Sequence, residues 1–159
     1  MKVMYSGSFD PITCGHLDII KRVALKFEKV KVVIFDNYSK RHSFSVQDRY
    51  DFIKDATKNI QNVEVDIAKG MLVDYAKKND IKVVIRGLRA VSDYEYELKI
   101  ASMNKFLNEG LETLFMLASP EYSFISSSVV KEIAKLGGDF NGLVPETVKK
   151  ALIKRYKED

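Results

Sequence analysis

The stretch Val30-Lys31-Val32-Val33-Ile34-Phe35 decides the fold, because it is apolar almost without interruption. A strand buried on one face alternates apolar and polar residues, whereas a strand of a parallel sheet is buried on both faces and is apolar throughout. Four other short runs are typical of strands, and they cover residues 3–5, 63–67, 81–85 and 114–117. The sequence therefore predicts a five-stranded parallel sheet.

Segments with a helical period separate and follow these strands. Their apolar residues recur every three or four positions, and the segments begin near residues 17, 46, 71, 94, 129 and 145. Ser45 and Asp48 have the spacing of a capping box, and Gly137-Gly138 ends the fifth segment. This alternation predicts a doubly wound, Rossmann-like α/β fold with helices on both faces of the sheet. No linker divides the chain, so we expect a single domain over residues 1–159.

The composition of the 159 residues is that of a globular protein with a mildly basic surface, since 26 Lys and Arg oppose 22 Asp and Glu. The charge fits either a solvated surface or an anionic ligand. Basic residues are scattered among acidic ones, so we expect no nucleic-acid partner. With one cysteine, Cys14, and no signal peptide or long apolar run, we expect a cytoplasmic protein without a membrane partner.

Polar loops follow the predicted strands, where doubly wound sheets bind their ligands. They cover residues 6–16, 36–42, 86–89 and 119–128 and are rich in hydroxyls, glycines and cations. The carboxyl ends of parallel strands meet at one edge, so these loops predict a phosphate site. Neither a dinucleotide fingerprint nor a P-loop is present.

Several residues in these loops have both a structural and a functional interpretation. His16 precedes a helix, where backbone N–H groups attract anions. Arg86 directly ends the fourth predicted strand, and its guanidinium would emerge at the carboxyl edge. The alternative is that Arg86 and Arg89 pair with acidic residues of the next helix, namely Asp93, Glu95 or Glu97. Ser126-Ser127-Ser128 suits a helix cap or polyphosphate oxygens. We expect His42 to be exposed, with contact to a mobile anion as the alternative.

No Ser–His–Asp set, pair of catalytic carboxylates or cluster of metal ligands stands out in the sequence. A phosphate monoester is mostly dianionic at neutral pH and can attack phosphorus without a general base. A site for such a reaction mainly has to position two anions and stabilise the charge that develops between them. The residues above suit that task.

The chain resembles the bacterial phosphopantetheine adenylyltransferases, which belong to the nucleotidyltransferase superfamily with a T/H-x-G-H motif. The resemblance rests on residues 6–16, which contain Thr13-Cys14-Gly15-His16, on I-R-G-L-R at 85–89, on the acidic stretch 93–97 with Met103-Asn104, and on 122–128. It implies that ATP and 4′-phosphopantetheine react to dephospho-coenzyme A and pyrophosphate. It also implies Mg²⁺ carried with ATP, feedback inhibition by coenzyme A, and a homohexamer.

The resemblance implies a role for individual residues. His16 is the implied catalytic residue, which stabilises the transition state at the α-phosphate. The implied ATP-binding residues are Ser8, Phe9, His16, Gly87, Leu88, Arg89, Glu97, Tyr122, Ser123, Phe124, Ile125, Ser126, Ser127 and Ser128. The implied acceptor-binding residues are Ser8, Lys40, Leu72 and Arg86. Ser8 and Lys99 depart from the family, which usually has Thr and Gln there.

A rival interpretation within the superfamily is an adenylyl- or cytidylyltransferase that acts on another phosphate, such as nicotinamide mononucleotide or glycerol phosphate. Such an enzyme would share the loop of residues 6–16, which we call the first loop. The I-R-G-L-R and F-I-S-S-S elements favour phosphopantetheine as the acceptor.

Overall fold

The computed structural model describes residues 1–36 and 41–157. In this part of the chain five strands form one parallel sheet: β1 (Lys2–Gly7), β2 (Lys29–Phe35), β3 (Val63–Ala68), β4 (Val83–Leu88) and β5 (Glu112–Leu117). Val30, Val32, Val33 and Ile34 of β2 have no exposed surface, because both faces of the sheet are covered. The five-stranded parallel sheet predicted from the sequence is confirmed.

Six α-helices and one 3₁₀ turn (Pro120–Tyr122) complete the described chain. The helices are α1 (Cys14–Ala24), α2 (Val46–Thr57), α3 (Leu72–Lys78), α4 (Val91–Leu107), α5 (Ser127–Lys135) and α6 (Glu146–Lys157). The predicted capping box of α2 is present, since the side chains of Ser45 and Asp48 each accept the backbone N–H of the other. Gly137, in the left-handed region at φ 72°, follows the end of α5 as predicted.

Two clusters of apolar side chains cover the two faces of the sheet. Val3 and Tyr5 of β1 belong to the larger cluster, which includes residues of α1, α2, α5 and α6. Met4 points the other way and belongs to the smaller cluster with Val73 and Ala76 of α3. Successive side chains of a strand alternate between faces, so a single strand supplies both. The fold is thus doubly wound and Rossmann-like.

The fourth strand lies further along the chain than predicted. We expected it at residues 81–85, but it covers Val83–Leu88, and Arg86 lies within it and not directly after it. Arg86, Gly87 and Leu88 continue the parallel register with Phe115, Met116 and Leu117 of β5. The apolar pattern stops at Arg86, but the ladder continues because it depends on backbone groups.

The strand order in the sheet is β3-β2-β1-β4-β5. After β1 the chain adds β2 and β3 on one side of β1, and it then adds β4 and β5 on the other side. The loops that follow β1 and β4 therefore diverge. Ligands of doubly wound folds bind in the crevice at such a point. No helix in the described residues is long and apolar enough to cross a bilayer.

Candidate active site

A cavity of about 430 Å³ opens where the loops after β1 and β4 meet the start of α5. It is lined by most of the residues that the sequence predicted for the site: Ser8, Phe9, His16, Arg86, Gly87, Arg89, Glu97, Tyr122, Ile125, Ser126, Ser127 and Ser128. The structure therefore brings together residues that are up to 120 positions apart, from Ser8 to Ser128.

Four of the predicted residues do not line this cavity. Leu72 starts α3 and packs against the smaller core cluster on the other face of the sheet. Leu88 is buried in β4, Phe124 is 66% exposed, and Ser123 follows the 3₁₀ turn. Lys40 lies outside the described residues.

His16 is held by the residue that caps its own helix. The backbone N–H of Thr13 donates to Nδ1 of His16 at 3.1 Å, and the Thr13 hydroxyl lies 3.0 Å from the same nitrogen. Because Nδ1 accepts an N–H, the proton of the neutral ring is on Nε2. Burial lowers the pKa of His16 to about 4, helped by the positive charges of Arg89 and Arg86. His16 is therefore a neutral N–H donor at neutral pH.

The low pKa of His16 predicts that its ring does not titrate in the ligand-free protein between pH 8 and about 5.5. The folded ring binds fewer protons than an unfolded ring with a pKa of about 6.5. The fold therefore loses stability through His16 as the pH falls from 6.5 toward 4, and this loss is absent above pH 6.5. NMR of the two histidine rings, assigned with His42→Gln, measures this. A His16 midpoint near 6.5 would contradict the prediction.

Phe9 forms an apolar wall beside His16. Its ring is 2% exposed, and its centroid lies 5.1 Å from that of His16 in an edge-on arrangement. The backbone of Phe9 has a φ of 46°, which is strained for a residue with a side chain. A Cβ at Gly7 would lie 3.1 Å from the Phe9 ring, so the glycine leaves room for this turn. The apolar wall excludes water from one side of the imidazole.

Asp10 ties three segments of the site together. Its carboxylate accepts the backbone N–H groups of Ser43 at 2.8 Å and Phe44 at 2.9 Å, and Lys131 of α5 donates at 2.9 Å. Burial raises the pKa of Asp10, but these hydrogen bonds outweigh burial and hold the pKa below its ordinary value. No local sequence pattern indicates the roles of Asp10 and Lys131, because their pairing joins residues 121 positions apart.

Arg86 of β4 and Arg89, which follows β4, are both held by carboxylates. Nε and Nη2 of Arg86 donate to the two oxygens of Glu97 at 2.7 and 2.6 Å, while Nη1 donates to the carbonyl and hydroxyl of Ser6. Arg89 donates to Asp93 at 3.1 and 3.2 Å and to the carbonyl of Ile125. The pairing that the sequence left as an alternative is therefore present. Both guanidinium groups still line the cavity, where the carboxylates hold their orientation.

The three serines at the start of α5 have different tasks. The Ser126 hydroxyl accepts the backbone N–H of Val129 at 3.1 Å, which is the capping role. The Ser127 hydroxyl donates to the carbonyl of Pro11 at 2.7 Å and so binds α5 to the first loop. Ser128 is exposed at the cavity. The N–H groups of the first turn of α5 face the same site as the arginines.

Arg49 of α2 stabilises the first loop through a hydrogen bond to Ser8. Its side chain is 1% exposed, donates to the carbonyl of Ser8 at 2.9 Å and pairs with Asp36 at 3.0 Å. Sequence reasoning missed it, because an arginine in an amphipathic helix is normally solvated.

His42 does not have the environment expected from the sequence. We expected an exposed ring, but its side chain is only 13% exposed and lines the cavity. The reason is that Asp10 binds the backbone of Ser43 and Phe44 and so draws this loop onto the first one. Nδ1 of His42 lies 3.8 Å from a carboxylate oxygen of Asp10.

The cavity as a whole combines a neutral imidazole N–H, two oriented guanidinium groups and the starts of α1 and α5. Such groups attract phosphates and stabilise negative charge that develops on them. Within residues 1–36 and 41–157, no group of three or more His, Cys, Asp or Glu side chains could hold a metal ion.

A protein-family model described as cytidylyltransferase-like matches residues 4–133, which is most of the chain. The match runs from within β1 into α5 and so includes β2 to β5, most of β1 and the loops that form the cavity. The chain therefore belongs to the cytidylyltransferase-like family of the nucleotidyltransferase superfamily.

Proposed function

We propose that the protein is a pantetheine-phosphate adenylyltransferase, which transfers AMP from ATP to 4′-phosphopantetheine and releases pyrophosphate. The observation that carries this proposal is the shared cavity of His16, Arg86, Arg89 and the start of α5. These residues come from the segments on which the resemblance to the phosphopantetheine enzymes rests.

The proposed reaction is a direct in-line attack. A phosphate oxygen of the acceptor forms a bond to the α-phosphorus of ATP, and the bond from that phosphorus to the β-phosphate oxygen breaks. Pyrophosphate takes the electron pair of the broken bond, and no enzyme-bound intermediate forms. The acceptor is already anionic near neutral pH, which fits a cavity whose imidazole is neutral and held as a donor.

His16 has the central role in the proposed mechanism. Its Nε2–H donates to an oxygen of the α-phosphoryl group, where negative charge increases in the transition state. The N–H of Thr13 fixes the ring and its tautomer, so little reorganisation is needed when the charge develops. At the start of α1 the N–H groups of Cys14 and His16 already donate to the carbonyl of Leu143 and the hydroxyl of Thr13. The N–H of Gly15 is therefore the one that would add to the imidazole donor.

Cationic side chains and the start of α5 hold the two ends of the reacting pair. Arg89, Ser128 and the backbone N–H of Ser127 restrain the departing pyrophosphate, because the Ser127 hydroxyl already donates to Pro11. Arg86 and Lys40 hold the acceptor phosphate. Glu97 and Ser6 already engage the Nε, Nη1 and Nη2 groups of Arg86. Arg86 therefore contributes mainly a fixed positive charge and a remaining N–H on Nη2.

Mg²⁺ would be supplied with ATP as part of the substrate, and it would neutralise charge on the phosphates. In the part of the chain that the structure describes, the carboxylates of Asp10 and Glu97 line the cavity, and both are engaged. Asp10 is bound by Ser43, Phe44 and Lys131, and Glu97 is bound by Arg86. This arrangement fits an ion held mostly by phosphate oxygens and water.

The proposal includes a cytoplasmic homohexamer that coenzyme A inhibits. The surface of helix α4 is consistent with the proposed assembly. Glu97 is the buried residue of this helix, whereas many of its apolar side chains are exposed. The exposed ones are Val91, Tyr94, Tyr96, Leu98, Ile100, Met103, Phe106 and Leu107. Sedimentation equilibrium measures the assembly, and coenzyme A added to the assay below measures the inhibition.

One assay tests the proposed activity. With ATP, Mg²⁺ and 4′-phosphopantetheine, we expect dephospho-coenzyme A by mass spectrometry and one pyrophosphate for each product molecule. Pantetheine without its phosphate is the matched control and should give neither product. Nicotinamide mononucleotide and glycerol 3-phosphate, each with ATP or CTP, test the rival acceptors. Pyrophosphate release with one of these acceptors and not with phosphopantetheine would refute the proposal.

A further inference from the structure

The cavity wall includes a buried nitrogen of His42 that has no hydrogen-bond partner among residues 1–36 and 41–157. This nitrogen is Nε2. Buried polar atoms are normally hydrogen-bonded, and each exception needs an explanation. His42 lines the cavity that also contains His16 and Arg89, so a ligand bound there would supply the missing hydrogen-bond partner of Nε2.

The other ring nitrogen of His42 faces a fixed negative charge. Nδ1 lies 3.8 Å from Oδ2 of Asp10, which is too far for a hydrogen bond but close enough for electrostatic attraction. Asp10 cannot move freely toward the ring, because Ser43, Phe44 and Lys131 hold its oxygens. The carboxylate therefore favours a proton on Nδ1 and leaves Nε2 to face the ligand. Pairing with Asp10 alone would leave Nε2 buried without a partner.

A phosphoryl group satisfies Nε2 in either protonation state of the ring. If the ring is neutral with its proton on Nδ1, Nε2 accepts the P–OH hydrogen of a phosphate monoanion. If the ring is protonated, Nε2–H donates to an oxygen of the dianion. The nearby charges fit an anion as well, since Lys131 and Arg41 line the same cavity.

We propose that His42 is a further binding residue for a phosphoryl group of the substrates, with Nε2 as the contacting atom. The proposal rests on the proposed function only in requiring a phosphorylated ligand in this cavity. That phosphoryl group belongs either to the nucleotide or to the acceptor, and both offer the same oxygen chemistry.

Calorimetric titration of the whole protein tests the contact. The probes are ATP, inorganic pyrophosphate and 4′-phosphopantetheine, with adenosine and pantetheine as matched probes without phosphate. We expect His42→Phe to bind at least one phosphorylated probe about 10-fold or more weakly, because a hydrogen bond to a charged group is lost. Adenosine and pantetheine should bind as they do to the original protein. If ATP and pyrophosphate bind more weakly to His42→Phe, the contacted phosphoryl group belongs to the nucleotide. If 4′-phosphopantetheine binds more weakly, the group belongs to the acceptor.

Two variants separate a contact from a change in the loop. His42→Gln keeps a hydrogen-bonding group near Nε2 and should recover part of the lost affinity. Ser43→Ala keeps the backbone N–H that binds Asp10 and should bind every probe normally. Unchanged affinity of His42→Phe for every phosphorylated probe that the original protein binds would overturn the proposal. Equal weakening of the probes with and without phosphate would also overturn it.

The same titrations test the proposed function and the role of His42 separately. If the original protein does not bind 4′-phosphopantetheine, the proposed function fails. The affinities of His42→Phe for ATP and pyrophosphate then test the role of His42, and this role is rejected if both affinities are unchanged.

Discussion

Replacing His16 by Ala is expected to lower turnover by about 10²–10³-fold and to change the affinity for ATP much less. In the proposed mechanism Nε2–H donates where charge develops during the reaction, whereas other groups would hold the bound triphosphate. Those groups include Arg89 and the first turn of α5, which line the same cavity. An interaction made mainly in the transition state lowers kcat when it is removed.

Two measurements on His16→Ala separate binding from catalysis. Equilibrium titration measures ATP affinity, and the rate of dephospho-coenzyme A formation at saturating substrates measures kcat. Thr13→Ala is the matched control, because it removes the hydroxyl beside Nδ1 but keeps the N–H that sets the tautomer. Thr13→Ala should cost about 1 kcal/mol of stability as a lost helix cap and far less turnover than His16→Ala. If affinity and turnover fall equally in His16→Ala, or if neither falls, the assigned role is wrong.

Much of the fold could be predicted because it depends on local patterns. The apolar run at residues 30–35 needs cover on both faces, and this requirement is visible in the sequence. The end of β4 could not be predicted in the same way. Arg86 and Gly87 do not look like strand residues, and their place in the ladder depends on backbone bonds to Phe115 and Met116 of β5.

The candidate site was predicted as a group of loops but not as a network of contacts. Parallel strands bring their carboxyl ends to one edge, so the loops that contain His16, Arg89 and Ser127 could be expected to meet. Asp10 and Arg49 act through partners 13 to 121 positions away in the chain, and no local pattern indicates such contacts. The wrong expectation for His42 has the same cause, since its burial follows from the bonds that Asp10 makes.

Replacing Arg49 by Ala is expected to lower the free energy of unfolding by about 3–5 kcal/mol, the usual loss when one partner of a buried ion pair is removed. Arg49 is 1% exposed, and its removal leaves the carboxylate of Asp36 and the carbonyl of Ser8 without this donor. The two groups lie at the carboxyl end of β2 and in the first loop, so the loss also loosens the support of Ser8. Urea-induced unfolding, followed by circular dichroism, measures the change.

A double-mutant cycle shows how much of this loss belongs to the ion pair. Asp36→Ala alone leaves the guanidinium of Arg49 buried without its carboxylate partner, whereas the double variant leaves neither charge behind. The double variant should therefore be less destabilised than the sum of the two single variants, by at least about 1 kcal/mol. Lys54→Ala in the last turn of the same helix is the control, because Lys54 is exposed, and it should change stability by less than about 0.5 kcal/mol. A loss below about 1 kcal/mol in Arg49→Ala would mean that water or neighbouring groups replace its bonds. The first loop would then hold its shape without help from α2.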